Sequence, residues 1–331
     1  MSNQIDANLL VDKYKLFEKL ITRKLISNKW KWIIRVVVIS IWGLLFLSLI
    51  WTAWKSRYQI VPILAGADYS NVVMVCVYYL LSLIAALLGW HTIIHSYHYA
   101  PNWWRNVQIF CVTVAPRRLP GTIWYIGGRM YLYQKLGMSK RSVLEASIVE
   151  LIVSFLSAGI VGISMFFHLG FALPGLLLIP ILVTLIIIAI IMTPGILDRL
   201  FKPNNSKTQN NWRFIIPAIW IFAYSIMWIM SGLMASQIVS IVQPVDWHNM
   251  GFIVGSWAFS GMAGLLTIFL PSTFGAMELS FIGFLSRILP LPIAGVVAIS
   301  TRLLTFSMDM LLSLVFYPIL IKFPLDRSLS S

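Results

Sequence analysis

Charged residues are scarce in this chain of 331 residues: they make up 11% of it, against about a quarter of a soluble globular protein. Hydrophobic residues account for 59%, and the mean hydropathy is +0.84. This composition excludes a soluble globular fold and predicts a protein that crosses a membrane several times. Only two cysteines are present, Cys76 and Cys111, and both lie in apolar runs. Neither a disulfide framework nor a thiolate metal site is therefore expected.

Acidic residues are also few, with 11 Asp and Glu against 25 Lys and Arg, and the net charge is +14. Basic residues cluster before the first apolar run that is long enough to cross a membrane. Because apolar residues recur at helical spacing among them, we predict that segment 1–31 is a basic amphipathic helix on the anionic cytoplasmic leaflet. A solvated helix that caps the cytoplasmic side stays open as the alternative. Nucleic-acid binding is not expected, because the sequence leaves no soluble domain for it.

Six apolar segments are long enough to cross a hydrocarbon core of about 30 Å. They are 36–54, 72–94, 143–167, 173–193, 214–242 and 292–321. Basic loops lie between them, and one of these loops is expected to contain Arg129, Lys135, Lys140 and Arg141. The positive-inside rule then predicts that the chain lies in the cytoplasmic (cell) membrane with both termini in the cytoplasm.

Two further apolar regions are interrupted by residues that break helices. The regions are 107–133 and 250–289, and the breaks lie at 116–121 and 271–275. Irregular backbone inside a bilayer leaves N–H and C=O groups unpaired, so it persists only where protein or water covers it. We therefore predict two re-entrant helical hairpins with a site at each break. The alternatives are full crossings at both regions, or a short extramembrane loop at the first, where Arg117 and Arg118 would be costly in lipid.

The order of two spans, a broken region and a third span occurs twice, in units 32–168 and 169–321, before a short cytoplasmic tail, 322–331. Because each unit crosses an odd number of times, the second is expected to be inverted, as in many transporters. The predicted fold class is an all-α polytopic integral membrane protein with an inverted-topology repeat, about six spanning helices and two re-entrant hairpins. In register, Glu150 lies opposite Arg302. We predict that the two pair across the pseudo-axis, so that exchanging their charges restores function lost in either single change.

Ordered sets of motifs accompany the breaks. They are Leu119-Pro120-Gly121-x-x-Trp124-x-x-Gly127-Gly128-Arg129 followed by Glu150, and Pro271-x-x-x-Gly275-x-x-Glu278 followed by Arg302. These motifs resemble the flippase-like transmembrane region of the lysylphosphatidylglycerol synthase family and its stand-alone relatives. The resemblance implies lipid translocation, without the synthase or glycosyltransferase domain of other family members. Many relatives have glycines where Ser272 and Thr273 stand, so the resemblance does not carry over the details of ligand binding.

The candidate lipid- or substrate-binding residues lie at the two breaks and beyond them. They are Arg117, Arg118, Pro120, Gly121, Trp124, Arg129, Glu150, Ser272, Thr273, Gly275, Glu278, Arg302 and Asp309. The N-terminus of a half-helix offers unpaired N–H groups, and arginine binds phosphate through two donors, so an anionic or phosphate-bearing lipid suits these residues. The carboxylates could serve as counter-charges, proton carriers or contacts with a cationic head group. Structural ion pairs that hold the repeats together stay open as the alternative.

The predicted function is a lipid translocase that moves a phospholipid or a polyprenyl-phosphate-linked lipid across the cytoplasmic membrane. An intramembrane transferase, or an accessory subunit that acts on a lipid-linked substrate in envelope biogenesis, is the alternative. We expect no cofactor and no catalytic residue, because no nucleophile and no metal-ligand set converge in the sequence. His91, His95 and His98 are interpreted as imidazoles at the membrane interface. A homo-oligomer and a complex with envelope-biosynthesis enzymes both stay open.

Overall fold

The computed structural model describes residues 69–97, 101–118, 123–168, 212–266 and 275–322. All of them belong to the unit Ser56–Ser331. Every regular element within these ranges is a helix, and no strand occurs in them. Several predictions fall outside the described residues: the segment 1–31, the spans 36–54 and 173–193, most of both breaks and the tail beyond residue 322.

Eight α-helices and one short 3-10 helix make up the described part. They are α1 Tyr69–His95, α2 Trp103–Val114, the 3-10 helix Ala115–Arg118, α3 Ile123–Lys135, α4 Lys140–His168, α5 Trp212–Val242, α6 Trp247–Leu266, α7 Ala276–Leu285 and α8 Leu291–Lys322. Helices α1, α4, α5, α6 and α8 are each long and apolar enough to cross a membrane. The chain is therefore a multi-pass membrane protein. Four of these helices, α1, α4, α5 and α8, coincide with predicted spans.

Three of the described helices begin after a capping side chain. Before α2, the Asn102 side chain accepts a hydrogen bond from the backbone N–H of Trp104 at 3.4 Å. The Ser139 hydroxyl accepts one from Ser142 N–H at 3.0 Å before α4, and the Asp246 carboxylate accepts one from Asn249 N–H at 2.8 Å before α6. Short polar side chains at these positions satisfy N–H groups that the first turn of a helix leaves without partners.

Each predicted broken region contains two helices among its described residues, while most of both breaks lies outside them, so the breaks stay predictions. At the first break, α2 and α3 have 12 and 13 residues. At 1.5 Å per residue they reach about 20 Å, which is short of a bilayer core of about 30 Å. At the second break, α6 has 20 residues and α7 has 10. The length of α6 was not predicted: this arm alone is long enough to cross.

The helices pack in a pattern that repeats between the two halves of the described part. Helix α1 lies along α5, and the first arm of each broken region packs against the last helix of the other half: α2 against α8, and α6 against α4. The second arms pack within their own halves, α3 against α4 and α7 against α8. Gly89 permits the approach of α1 to α5, because a Cβ there would lie 2.6 Å from the Tyr224 ring.

Two clusters of buried apolar side chains form the core. One joins α1, α2 and α3 to the N-terminal parts of α4 and α5 around Trp90, Tyr133 and Trp220. The other joins α6, α7 and α8 to the C-terminal parts of α4 and α5 around Phe166, Phe252 and Phe281. Each cluster lies next to one of the broken regions, so the charged residues that follow the breaks are surrounded by apolar side chains.

Candidate functional site

The first ion pair of the candidate site joins α3 to α4. Arg129 Nη1 lies 2.5 Å from Glu150 Oε2, and the side chains are only 2% and 0% exposed. Two predictions are thereby wrong. Arg129 does not lie in a basic loop but within α3, where its neighbours on the helix are mostly apolar. The carboxylate of Glu150 pairs with Arg129, not with Arg302, because α3 rather than α8 places an arginine beside it.

Aromatic rings enclose the guanidinium group of Arg129. Its Cζ atom lies 3.9 Å from the ring centroid of Trp90, 5.1 Å from that of Tyr125 and 5.4 Å from that of Phe110. A cation over an aromatic face gains on the order of 2 kcal/mol where it is desolvated. These contacts, drawn from α1, α2 and α3, replace part of the water that burial removes from the charge.

Hydrogen bonds complete the surroundings of the pair. Tyr224 on α5 donates its hydroxyl to Glu150 Oε1 at 3.0 Å, while Arg129 Nε donates to Thr113 Oγ1 on α2 at 3.4 Å. Both carboxylate oxygens of Glu150 thus have a donor. A buried ion pair is tolerated when its remaining donors and acceptors are satisfied in this way. Five helices, α1 to α5, therefore meet at the Arg129–Glu150 pair.

A chain of polar contacts runs from this pair towards the end of α1. Trp90 Nε1 donates to the Tyr133 hydroxyl at 2.8 Å, and that hydroxyl donates to Asn106 Oδ1. Asn106 Nδ2 and His91 Nδ1 lie 2.8 Å apart. Sequence analysis missed this network, for which the amide side chains in an apolar region, Asn106 and Gln108, were the available signal.

The histidines of α1 do not form a metal site with other described residues. His91 and His95 have ring centroids 4.1 Å apart, and the described ranges hold no group of three or more His, Cys, Asp or Glu side chains suited to a metal ion. His98 lies outside the described residues. His91 instead contacts Trp103, at 4.7 Å between ring centroids, as well as Asn106.

The second ion pair joins α7 to α8. Arg302 Nη1 lies 3.3 Å from Glu278 Oε1, and the side chains are 21% and 16% exposed. The other oxygen of Glu278, Oε2, accepts a hydrogen bond from the backbone N–H of Gly275 at 3.0 Å and so caps α7. Gly275 has a φ of +103°, a conformation that glycine adopts without steric penalty. The turn after the second break therefore fixes the direction of the Glu278 carboxylate.

A recess opens beside this second pair, between α6, α7 and α8. Its lining consists of Trp257, Met277, Glu278, Phe281, Ala298, Arg302 and Thr305. The indole of Trp257 is held in place by a hydrogen bond from Nε1 to Ser231 Oγ at 3.0 Å. The recess thus presents one carboxylate and one guanidinium group between apolar walls.

Asp309 lies two turns beyond Arg302 on α8 and is fully buried. The Tyr79 hydroxyl on α1 donates to Asp309 Oδ1 at 2.5 Å. The spacing of seven residues places Arg302 and Asp309 on one face of the helix, as expected. The two groups nevertheless contact different helices: Arg302 pairs with α7, and Asp309 joins α8 to α1.

The remaining candidates are spread over the first half or fall outside the described residues. The Arg117 guanidinium lies over the Tyr125 ring, 5.5 Å from its centroid, whereas the Trp124 side chain is 63% exposed at the surface. The Tyr125 hydroxyl is buried with no hydrogen-bond partner among the described residues. Pro120, Gly121, Ser272, Thr273 and the side chain of Arg118 are outside the described part. The predicted phosphate sites at the half-helix N-termini stay predictions.

The structure thus brings four of the charged candidate residues together as two separate Arg–Glu pairs, one enclosed and one beside a recess, while Asp309 contacts Tyr79. A scan against protein-family models gave no match for this chain, and a search of curated proteins gave none either. The resemblance to the lysylphosphatidylglycerol synthase family therefore stays a prediction.

Proposed function

We propose that this protein is a translocase for a phosphate-bearing lipid, either a phospholipid or a polyprenyl-phosphate-linked lipid, in the cytoplasmic membrane. The observation that carries the proposal is the partly exposed Glu278–Arg302 pair, which lines a recess directly after an interruption between membrane helices. Ionisable residues within apolar helices are costly and typically line a substrate path. An arginine beside an apolar recess suits a lipid phosphate, because it offers several donors in a fixed plane.

Alternating access between two repeats is part of the proposal. Two features support an inverted repeat: the helix contacts recur in the same order in α1–α4 and α5–α8, and each half carries an Arg–Glu pair in corresponding elements. In each pair, one residue lies on the short helix after the break and the other on the long helix that follows. The charges are exchanged between the halves: Arg129 and Glu278 are on the short helices, Glu150 and Arg302 on the long ones.

The broken regions are proposed to form re-entrant hairpins that cover the lipid head group during its passage. The support lies in the short helices α2, α3 and α7, each of which is too short to cross a bilayer alone. Their ends leave backbone groups that require protein, water or ligand as partners. Both termini are proposed to lie in the cytoplasm.

The test is lipid movement in proteoliposomes that contain the purified full chain and acyl-chain-labelled phospholipids or a labelled polyprenyl phosphate. Wild-type protein should move at least one of these lipids between leaflets, and Arg302→Ala and Glu278→Gln should reduce the rate. The matched control is Arg141→Gln, which removes one partner of the exposed Arg141–Glu145 pair at 2.8 Å. If a folded wild-type protein moves none of the lipids, the proposal is wrong, and an intramembrane transferase or accessory subunit becomes the better hypothesis.

A further inference from the structure

We infer that the recess beside Glu278 and Arg302 binds a zwitterionic head group that carries both a phosphate and a primary ammonium group. The phosphate binds Arg302, and the ammonium group binds Glu278. The inference rests on the proposed function and names its lipid class: aminophospholipids of the phosphoethanolamine type, rather than phospholipids that carry only negative charge.

The first argument is the accessibility of the pair. Arg302 and Glu278 share one contact of 3.3 Å and remain 21% and 16% exposed, so solvent or a ligand can reach both groups. The Arg129–Glu150 pair is closed by comparison, with its charged atoms 2.5 Å apart and both side chains buried. A ligand group can therefore take the place of Arg302 beside Glu278, or of Glu278 beside Arg302, without first opening the core.

The second argument is charge balance. An anionic head group that bound Arg302 alone would place its phosphate next to the Glu278 carboxylate, which lies in contact with the same guanidinium group. Like charges at this separation repel, and the low dielectric of the recess strengthens the repulsion. A cationic head group that bound Glu278 alone would likewise place its positive charge next to the Arg302 guanidinium group. A zwitterion provides an opposite charge for each residue, so no charge in the recess is left without a partner.

The third argument concerns the individual oxygens of Glu278. Oε2 accepts the Gly275 N–H at 3.0 Å, and Oε1 contacts Arg302. The turn at Gly275 thus holds the carboxylate in position when Oε1 takes a new partner. A carboxylate oxygen accepts hydrogen bonds. A primary ammonium group offers three N–H donors, whereas a quaternary ammonium group offers none. Phosphatidylethanolamine should therefore bind better than phosphatidylcholine.

The side chains beside the two charges are mostly apolar. Trp257, Phe281, Met277 and Ala298 supply apolar walls on α6, α7 and α8. Methylene groups of the head group and the glycerol region can contact these walls while the two charges meet at Glu278 and Arg302.

The test is competitive binding to the full chain in nanodiscs that contain equal amounts of phosphatidylethanolamine, phosphatidylcholine and phosphatidylglycerol. The lipids that stay bound are identified by native mass spectrometry. We expect phosphatidylethanolamine to be retained over phosphatidylglycerol by roughly tenfold, which corresponds to about 1.4 kcal/mol. Glu278→Gln should reduce this ratio to about one, and Arg302→Gln should lower retention of all three lipids.

Glu145→Gln is the matched control, because it removes a carboxylate from an exposed Arg–Glu pair that does not line the recess. It should leave the lipid ratio unchanged. Glu278→Gln keeps an amide oxygen that can accept the Gly275 N–H, so α7 retains its cap. Gel filtration identifies any variant that fails to fold.

The outcomes separate this inference from the proposed function. Wild-type retention of phosphatidylglycerol equal to or above phosphatidylethanolamine would overturn the inference, even if the protein moves lipids in vesicles. A phosphatidylethanolamine preference without movement of any lipid would support the inference and overturn translocation. If free phosphoethanolamine binds but no phospholipid is retained, the assignment to a lipid is wrong.

Discussion

The two Arg–Glu pairs have similar positions in the sequence but different surroundings. Each joins a short helix that follows a break to the long helix that comes next. Arg129 and Glu150 are enclosed by side chains from five helices, with charged atoms 2.5 Å apart. Glu278 and Arg302 are 3.3 Å apart and line a recess.

This difference separates a structural role from a binding role. A fully buried charge depends on its partner, because the partner replaces the water that the charge has lost. The Arg129–Glu150 pair therefore holds α3 and α4 together. Replacing either partner with a ligand would cost a large free energy. The Glu278–Arg302 pair is partly exposed and keeps part of its hydration. A ligand can therefore replace one partner at a smaller loss of free energy. The two predictions with the largest expected effects concern the enclosed pair.

Combining Glu150→Arg with Arg302→Glu should have the largest effect. If the two residues paired with each other, the exchange would restore the interaction. The structure instead predicts two like-charge contacts, one with Arg129 and one with Glu278. We expect less folded protein from the double variant than from either single variant, measured by fluorescence-detected gel filtration after extraction. Recovery of the folded peak in the double variant would show that Glu150 and Arg302 interact directly.

Arg129→Ala should lower the free energy of unfolding by about 3–5 kcal/mol, because it leaves the buried Glu150 carboxylate without its ion-pair partner. Thermal unfolding of the detergent-solubilised protein, followed by circular dichroism, measures the change. Arg141→Ala breaks an Arg–Glu pair on the exposed surface of α4 and should lower the free energy of unfolding by only about 0.2–1 kcal/mol. Similar effects of the two substitutions would contradict the structural role of the enclosed pair.

Tyr224→Phe removes one hydrogen bond from the enclosed pair and leaves the aromatic ring over Gly89 in place. A hydrogen bond to a charged group contributes about 1.5–3 kcal/mol, so the unfolding temperature should fall by less than in Arg129→Ala. Tyr131→Phe is the matched control, since that side chain is exposed, and it should change the free energy of unfolding by less than about 0.5 kcal/mol. A Tyr224→Phe protein as stable as this control would show that the hydroxyl does not stabilise Glu150.

Hydropathy predicted the elements well. The spans at α1, α4, α5 and α8 follow from runs of apolar residues. Hydropathy did not predict that α6 is long enough to cross alone, because the second broken region was interpreted as one re-entrant hairpin. Glycine and serine residues along α6 also lower its mean hydropathy, to 1.2 against 2.5 in α1.

The pairing of charges could not be predicted from the sequence. Spacing along a helix shows which residues share a face, but not which faces meet in the folded chain. Glu150 and Tyr224 are 74 positions apart, and Tyr79 and Asp309 are 230 apart. The predicted register between the two units placed Glu150 opposite Arg302. It did not show that each of them has a partner within its own half, on the short helix.

Glu278→Gln should have the smallest effect on stability and a clear effect on function. The Glu278–Arg302 pair is partly exposed, so losing it should lower the free energy of unfolding by less than losing the enclosed pair does. If the recess binds the lipid head group, the rate of lipid movement should fall by at least about tenfold, equivalent to about 1.4 kcal/mol in the barrier. The same change in the enclosed pair, Glu150→Gln, should instead lower the free energy of unfolding much more than Glu278→Gln does. Equal losses of stability in the two variants would mean that both pairs serve the fold. The lipid site would then have to lie elsewhere, because a pair required for folding cannot release its partner to a ligand in each transport cycle.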